Sequence, residues 1–317
     1  MKKGRFAPSP TGRMHLGNVF CALLSWLSAK SGGGEWLLRI EDLDPQRSRR
    51  EYAFQLMDDL QWLGLPWDGE PVWQSQRGHI YEEYLHRLQE MGLTYPCYCT
   101  RADIMATQAP HETDGRVVYK GTCRPKYTDA ARSVPTAINH ISPSIEGGVG
   151  VGLATTRLIV PDCTIPFTDG HYGRHDINLA EHCGDYIIRR KDGAWAYQLA
   201  VVVDDALMGV TEIVRGRDLL LSSPQQIHLR ELLFPSPLTV NFLHHPLLCN
   251  AEGQRLCKRD KSMDLGYLRD KGTTPQEIIG LLAHYAGLIE QPYSTGPEEL
   301  LTLFSWDKVP TEDIITL

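Results

Sequence analysis

Arg5-Phe6-Ala7-Pro8-Ser9-Pro10-Thr11-Gly12, with His15-Leu16-Gly17-Asn18 close behind, is the stretch on which the reading of the chain turns. Gly4 to Ala7 reads as a short strand. The two prolines and Gly12 then require a loop, because proline cannot donate to a sheet ladder. Val19, Phe20, Leu23, Leu24 and Leu27 follow at helical spacing. A strand, a turn-rich loop and a helix start therefore follow one another. The unpaired N–H groups of a helix start favour an anion, and an imidazole beside them, here His15, can stabilise phosphoryl oxygens.

Outward from that opening the alternation continues. Trp36 to Ile40 is a second apolar run, Glu41-Asp42-Leu43-Asp44-Pro45 is polar, and Tyr52, Leu56, Leu60 and Leu63 mark another amphipathic helix. Strands alternating with helices predict an α/β fold with a parallel sheet, whose ligands bind beyond the carboxyl ends of the strands, where Pro8 to His15 and Glu41 to Asp44 both fall. Gly78 to Met91 predicts a further helix. The composition then shifts to Cys, Thr, Asp and Gly, as in an insertion, with a Gly-rich loop at 142–152. Strands are expected at Tyr186 to Arg190 and Ala194 to Val203, flanking an Asp192-Gly193 turn, and a mostly helical tail beyond about Leu243.

With 317 residues, 42% apolar and 22% charged, the chain is long enough for two or three domains. No apolar window approaches the roughly 18 to 20 residues of a membrane span, and the first residues lack a signal-peptide pattern, so a cytoplasmic protein with no membrane partner is expected. The net charge of -7 speaks against indiscriminate nucleic-acid binding but leaves room for a basic stripe, such as Arg47, Arg49 and Arg50 or Arg189, Arg190 and Lys191. Eight cysteines without a secretion signal read as reduced thiols or metal ligands rather than a disulfide framework. Cys97, Cys99 and Cys123 share one polar segment and offer three thiolates to a tetrahedral metal that needs one more donor.

The opening octapeptide with His15-Leu16-Gly17-Asn18 resembles the glutamyl-tRNA synthetase form of the "HIGH" element of class I aminoacyl-tRNA synthetases. Asn18 stands where many of these enzymes have a second histidine. Tyr197 to Asp205 and Val214 to Leu219 resemble the second half of the same site, and Lys258-Arg259-Asp260-Lys261-Ser262 resembles the mobile "KMSKS" loop. The resemblance implies a Rossmann-type sheet carrying an inserted acceptor-type domain with a zinc site. It implies glutamate binding by Arg5, Ala7, Ser9, Glu41, Tyr197 and Arg215, with Arg5 on the side-chain carboxylate and Glu41 on the ammonium. It implies ATP binding, with Mg2+, by His15, Gly17, Asn18, Lys258 and Lys261, of which His15, Asn18 and Lys261 would be catalytic. Asp204 and Asp205 are expected to be structural or to face ribose.

By the same resemblance, residues 1–94 and 185–242 are two halves of the nucleotide-binding domain and 95–184 is the insert. Residues 243–317 hold the loop and a helical stem-contact region, with no anticodon-binding domain. That truncation resembles the glutamyl-queuosine branch of the family, which attaches glutamate to queuosine in the anticodon loop of tRNA(Asp). In that branch the fourth zinc donor is a tyrosine, matching Tyr119; His111 is the rival. L-glutamate, ATP and queuosine-containing tRNA(Asp) are then the expected partners of a monomer. The alternatives are a minimal synthetase charging the 3' end of tRNA(Glu) and a non-catalytic tRNA-binding paralogue.

Overall fold

The computed structural model describes residues 1–106, 118–125, 154–236, 238–256 and 264–316; the Gly-rich stretch at 142–152 lies outside them. The chain opens with β1 (Lys3–Phe6), α1 (Leu16–Ser31), β2 (Glu35–Ile40), α2 (Arg50–Trp62) and β3 (Val72–Trp73). Then come α3 (Gly78–Glu90), β4 (Thr94–Cys97), α4 (Arg101–Ala106), β5 (Thr155–Leu158), β6 (Thr164–Asp169), β7 (Gly173–Asn178), α5 (Leu179–His182) and β8 (Ile187–Arg189). Next are α6 (Tyr197–Leu207), β9 (Glu212–Gly216), α7 (Ser223–Leu233), β10 (Asn241–His245) and β11 (Leu248–Cys249). The chain closes with α8 (Leu265–Asp270), α9 (Pro275–Tyr285), α10 (Pro297–Leu300) and β12 (Ile314–Ile315). These elements fall into two compact units, one of Met1–Gly78, Pro166–Asp176 and Val202–Leu317, the other of His79–Ile165 and Ile177–Val201.

The first unit carries the expected parallel sheet. β1 pairs with β2 and β2 with β3, all parallel, so that Arg5 lies beside Leu37 and Arg39 beside Val72. β9 and β10 pair in parallel over five residues, and β6 joins β10 where Asp169 lies opposite Phe242. The two sets meet at Lys3 and Thr211, where Lys3 N–H donates to Thr211 Oγ1 and Thr211 N–H donates to Lys3 O, each at 2.9 Å. Against this sheet packs α1, which buries Val19, Phe20, Leu23, Leu24 and Leu27 along with Ala22 and Trp26. A helix apolar on nearly every side must be interior. Trp36 of β2 stacks on Phe6 of β1 at 6.0 Å and donates its indole N–H to Ser25 Oγ at 3.0 Å.

The second unit holds an antiparallel sheet in the order β4, β5, β8. The Asp192-Gly193 turn forms as expected, with Gly193 at φ +84° and its N–H donating to Arg190 O at 3.0 Å. The strand expected after it does not: beyond a single bridge between Arg189 and Trp195, residues 197–207 are helical. Leu199, Ala200, Val201, Val202 and Val203 are all buried, and a short continuous apolar run does not distinguish a strand from an interior helix. The helical tail also begins later than expected. Asn241–His245 is a strand of the parallel sheet, too short and too rich in histidine to stand out by alternation.

Candidate active site

In the first unit, the loops after β1 and β2 lie at the carboxyl ends of adjacent parallel strands, and Glu41 N–H donates to Pro8 O at 3.0 Å. Ala7 is half-buried in this corner and Ser9 is exposed. His15 caps α1. Its Nδ1 accepts from Gly17 N–H at 3.1 Å, while the Asn18 side chain accepts from His15 N–H at 3.2 Å. This reciprocal box gives Asn18 a structural duty and fixes the imidazole. Because Nδ1 accepts, the ring proton sits on Nε2, which makes that atom a donor for an anion. Gly17 suits the same arrangement, because a Cβ there would crowd the imidazole ring of His15 at 3.0 Å.

Behind the loops lies a buried array of three arginines and three carboxylates. Arg39, fully buried on β2, reaches Asp205 at 2.5 Å and Glu41 at 3.0 Å, with Asp204 at 3.9 Å. Arg5 lies 3.3 Å from Asp205 and donates to Val214 O at 3.3 Å, so its Nη2 has no partner among the described residues. Asp204 is held by Arg77 at 2.6 Å and Gln74 at 2.8 Å. Burial works to raise the pKa of Asp205, but Arg39 and Arg5 hold it below its ordinary value. Burial prevails at Glu41, whose carboxyl is raised despite Arg39. Asp204 and Asp205 thus brace arginines, the structural alternative of the two expected, and Glu41 pairs with Arg39 rather than Arg5.

Arg215, on β9, is 4% exposed and enclosed by donors and acceptors. It donates to His244 Nε2 at 2.9 Å, Gln226 Oε1 at 2.8 Å and Ser223 Oγ at 2.7 Å. His244 in turn reaches Asp169 at 2.6 Å through Nδ1. Asp169, His244, Ser223, Gln226 and Arg39 were not singled out from the sequence. For Asp169 no signal existed, because its partner lies 75 residues away. The pair His244-His245 before Pro246 was the one available hint.

In the second unit, the Sγ atoms of Cys97, Cys99 and Cys123 lie within 4.8 Å of one another, close enough to hold one metal ion. Tyr119 OH is 3.4 Å from Cys97 Sγ and 3.7 Å from Cys99 Sγ, and accepts from Cys123 N–H at 2.7 Å. Its ring lies under the guanidinium of Arg157 at 3.8 Å. Gly184, at φ +60°, bridges to Tyr119, and a Cβ there would stand 2.5 Å from Tyr119 O. Burial acts to raise the Cys123 pKa, but hydrogen bonds from the Tyr98 backbone and the Tyr119 side chain lower it to about 7. Tyr197, expected in the glutamate pocket, starts α6 in this unit and is 38% exposed.

His111 and the Lys258-Arg259-Asp260-Lys261-Ser262 segment lie outside the described residues. Asp264, which follows that segment, forms an isolated bridge with His15, and Leu265 N–H donates to Met14 O at 2.9 Å. Arg47, Arg49 and Arg50 are exposed, with the Arg50 guanidinium over Phe54 at 5.4 Å and over Trp73 at 5.8 Å. Among the described residues no helix is long and apolar enough to cross a membrane.

Comparison with known proteins agrees with this architecture. The family described as "tRNA synthetases class I (E and Q), catalytic domain" matches residues 3–291. Glutamyl-Q tRNA(Asp) synthetase of Symbiobacterium thermophilum is 44% identical over 98% of this chain and 94% of its own length. That of Nitratidesulfovibrio vulgaris is 42% identical over 100% of this chain and 96% of its own. Among solved structures, glutamate-tRNA synthetase of Elizabethkingia anophelis superposes with a TM-score of 0.78 at 25% identity, covering 100% of this chain and 68% of that one. A glutamate tRNA ligase of Elizabethkingia meningosepticum, solved with its amino acid, gives 0.75 at 25% identity over 97% of this chain. The chain spans 65% of the length of that ligase. The chain belongs to the class I tRNA synthetase family of the E and Q type, on its glutamyl-Q tRNA(Asp) synthetase branch.

Proposed function

We propose that this protein activates L-glutamate with ATP and Mg2+ and transfers it to queuosine in the anticodon loop of tRNA(Asp). The observation that carries this reading is identity of 42 to 44% over nearly full length to glutamyl-Q tRNA(Asp) synthetases. In the first step the α-carboxylate of glutamate attacks the α-phosphorus of ATP, and pyrophosphate leaves. In the second, a hydroxyl of the acceptor attacks the acyl carbon of the adenylate and AMP leaves. Catalysis is positioning and charge stabilisation, with no covalent enzyme intermediate.

In this reading Arg5 takes the side-chain carboxylate of glutamate through its unengaged Nη2, supported by the 3.3 Å contact to Asp205 that orients it. A guanidinium matches a carboxylate, whereas the amide of glutamine would set donor against donor. Glu41 receives the ammonium, and a substrate cation would return its raised carboxyl to the ionised form. Ala7, Ser9 and Arg215 complete the pocket within the first unit, and Tyr197 is assigned to glutamate by the family resemblance. His15, Gly17 and Asn18 face the phosphates. Lys258 and Lys261 follow the developing charge on pyrophosphate. What supports Lys261 is the His15–Asp264 bridge, since three residues of chain reach at most about 11 Å.

Cys97, Cys99, Cys123 and Tyr119 are assigned as ligands of a structural zinc that shapes the insert at 95–184. A tetrahedral zinc at usual bond lengths needs ligand atoms about 3.5 to 3.8 Å apart. The separations of 3.4, 3.7 and 3.5 Å among Cys97, Cys99, Cys123 and Tyr119 support that fit. The experiment for the activation step is ATP–pyrophosphate exchange with and without each amino acid. Glutamate-dependent exchange is expected; exchange driven by glutamine alone, or none under any tRNA, would defeat the reading.

A further inference from the structure

A cavity of about 280 Å3 lies within the first unit, between α6, α7, β9 and β10. Its walls are largely apolar, from Val202, Ile213, Ile227, Val240 and Phe242. Arg230 of α7 also lines it, only 9% exposed. Its Nε has no hydrogen-bond partner, and among the described residues its guanidinium forms no ion pair. Burial acts against its charge, with Asp205 the group that supports it. Asp205 is already engaged by Arg5 and Arg39. A buried cation without a hydrogen-bonded counter-charge is costly, and proteins seldom retain one without a partner.

We infer that this cavity is a binding site for a small organic monocarboxylate with an apolar body, whose carboxylate takes the guanidinium of Arg230. The chemistry selects the class. An apolar wall accommodates a hydrocarbon body, and a guanidinium presents paired donors to a carboxylate. The single arginine stands beside Asp205 and near the exposed Glu231, so one negative charge is compensated and two would be repelled. Glu231, Leu238 and Thr239 are exposed and form the mouth through which such a ligand enters. Arg5 and Arg215 do not line this cavity, but their partners Asp205 and Gln226 do, so it backs onto the residues assigned to glutamate without containing them. The site does not depend on the proposed reaction.

The test is calorimetric titration of the full chain with 4-methylpentanoate, with isopentylamine as the charge-reversed control and L-glutamate as competitor. The wild type should take one carboxylate per chain, ignore the amine, and keep its carboxylate affinity in saturating glutamate. Arg230→Gln should weaken binding at least about tenfold. Ile227→Trp, which keeps the arginine and fills the space, should weaken it as much and serves if Arg230→Gln fails to fold. Unchanged binding in either folded variant, displacement by glutamate, or no binding below a dissociation constant of about 10 mM would overturn the site.

Discussion

Arg215 Nε lies 2.9 Å from His244 Nε2, and that contact fixes the charge of the imidazole. A guanidinium only donates, so Nε2 must accept and the ring proton belongs to Nδ1, which reaches Asp169 at 2.6 Å. Burial, the largest influence on His244, depresses its pKa, in agreement with a neutral ring. Protonating Nε2 would place two donors against each other and loosen Arg215 from β10.

Glutamate affinity should therefore depend on His244 without any contact between them. His244→Phe is expected to raise the KM for glutamate about tenfold to a hundredfold in pyrophosphate exchange, with a smaller change in kcat. His244→Gln, whose amide oxygen can accept from Arg215, should restore part of the loss. Because the His244 pKa is lowered, the KM of the wild type should stay level down to the ordinary histidine value of about 6.5 and climb only below it, and that rise should vanish in His244→Gln. An unchanged KM in His244→Phe would remove the imidazole from the account.

Much of the fold was legible because local signals agreed. The prolines after Phe6, the helical spacing from Val19 to Leu27 and the Asp192-Gly193 turn each dictate one conformation. Leu199 to Val203 misled because β-branched residues in a buried helix look like a strand. The motifs at Arg5, His15, Glu41 and Arg215 could be recognised, but their supports could not. Asp205 braces Arg5 from 200 residues away and His244 holds Arg215 from 29, and nothing in the chain announces pairings made only by folding.

Arg5 should set the choice of side chain. Arg5→Ala is expected to lower kcat/KM for glutamate by about a hundredfold and to erase the preference over glutamine, read by exchange with each amino acid. Asp205 keeps Arg39 at 2.5 Å in that variant, so circular dichroism should show an intact fold. Retained preference for glutamate would show that Arg5 braces the site and does not read the substrate.

The sulfur site should hold one zinc per chain, counted by plasma emission spectroscopy. Cys123→Ser is expected to lose most of that metal and Tyr119→Phe part of it. Gly184→Ala should lose metal as well, because its Cβ would strike Tyr119 O at 2.5 Å. Wild-type protein without zinc would contradict the assignment.

His245 should make the fold acid-sensitive. Burial, opposed by its bond to Pro246 O, lowers its pKa to about 4, so the folded ring stays neutral where the unfolded one has taken a proton. Its contribution is complete above the ordinary histidine value and is lost as pH falls toward 4, amounting to about 3 kcal/mol. Urea midpoints should fall less steeply across that window in His245→Asn than in the wild type. Equal slopes would show that the ring is protonated in the folded protein.

The acceptor is what separates this protein from a conventional synthetase. Purified protein with ATP, Mg2+ and labelled glutamate should be offered tRNA(Asp) with queuosine, tRNA(Asp) without it, and tRNA(Glu). The account predicts label on queuosine-containing tRNA(Asp) alone. Label on tRNA(Glu) would make the protein a minimal conventional synthetase, and label on none would contradict transfer altogether.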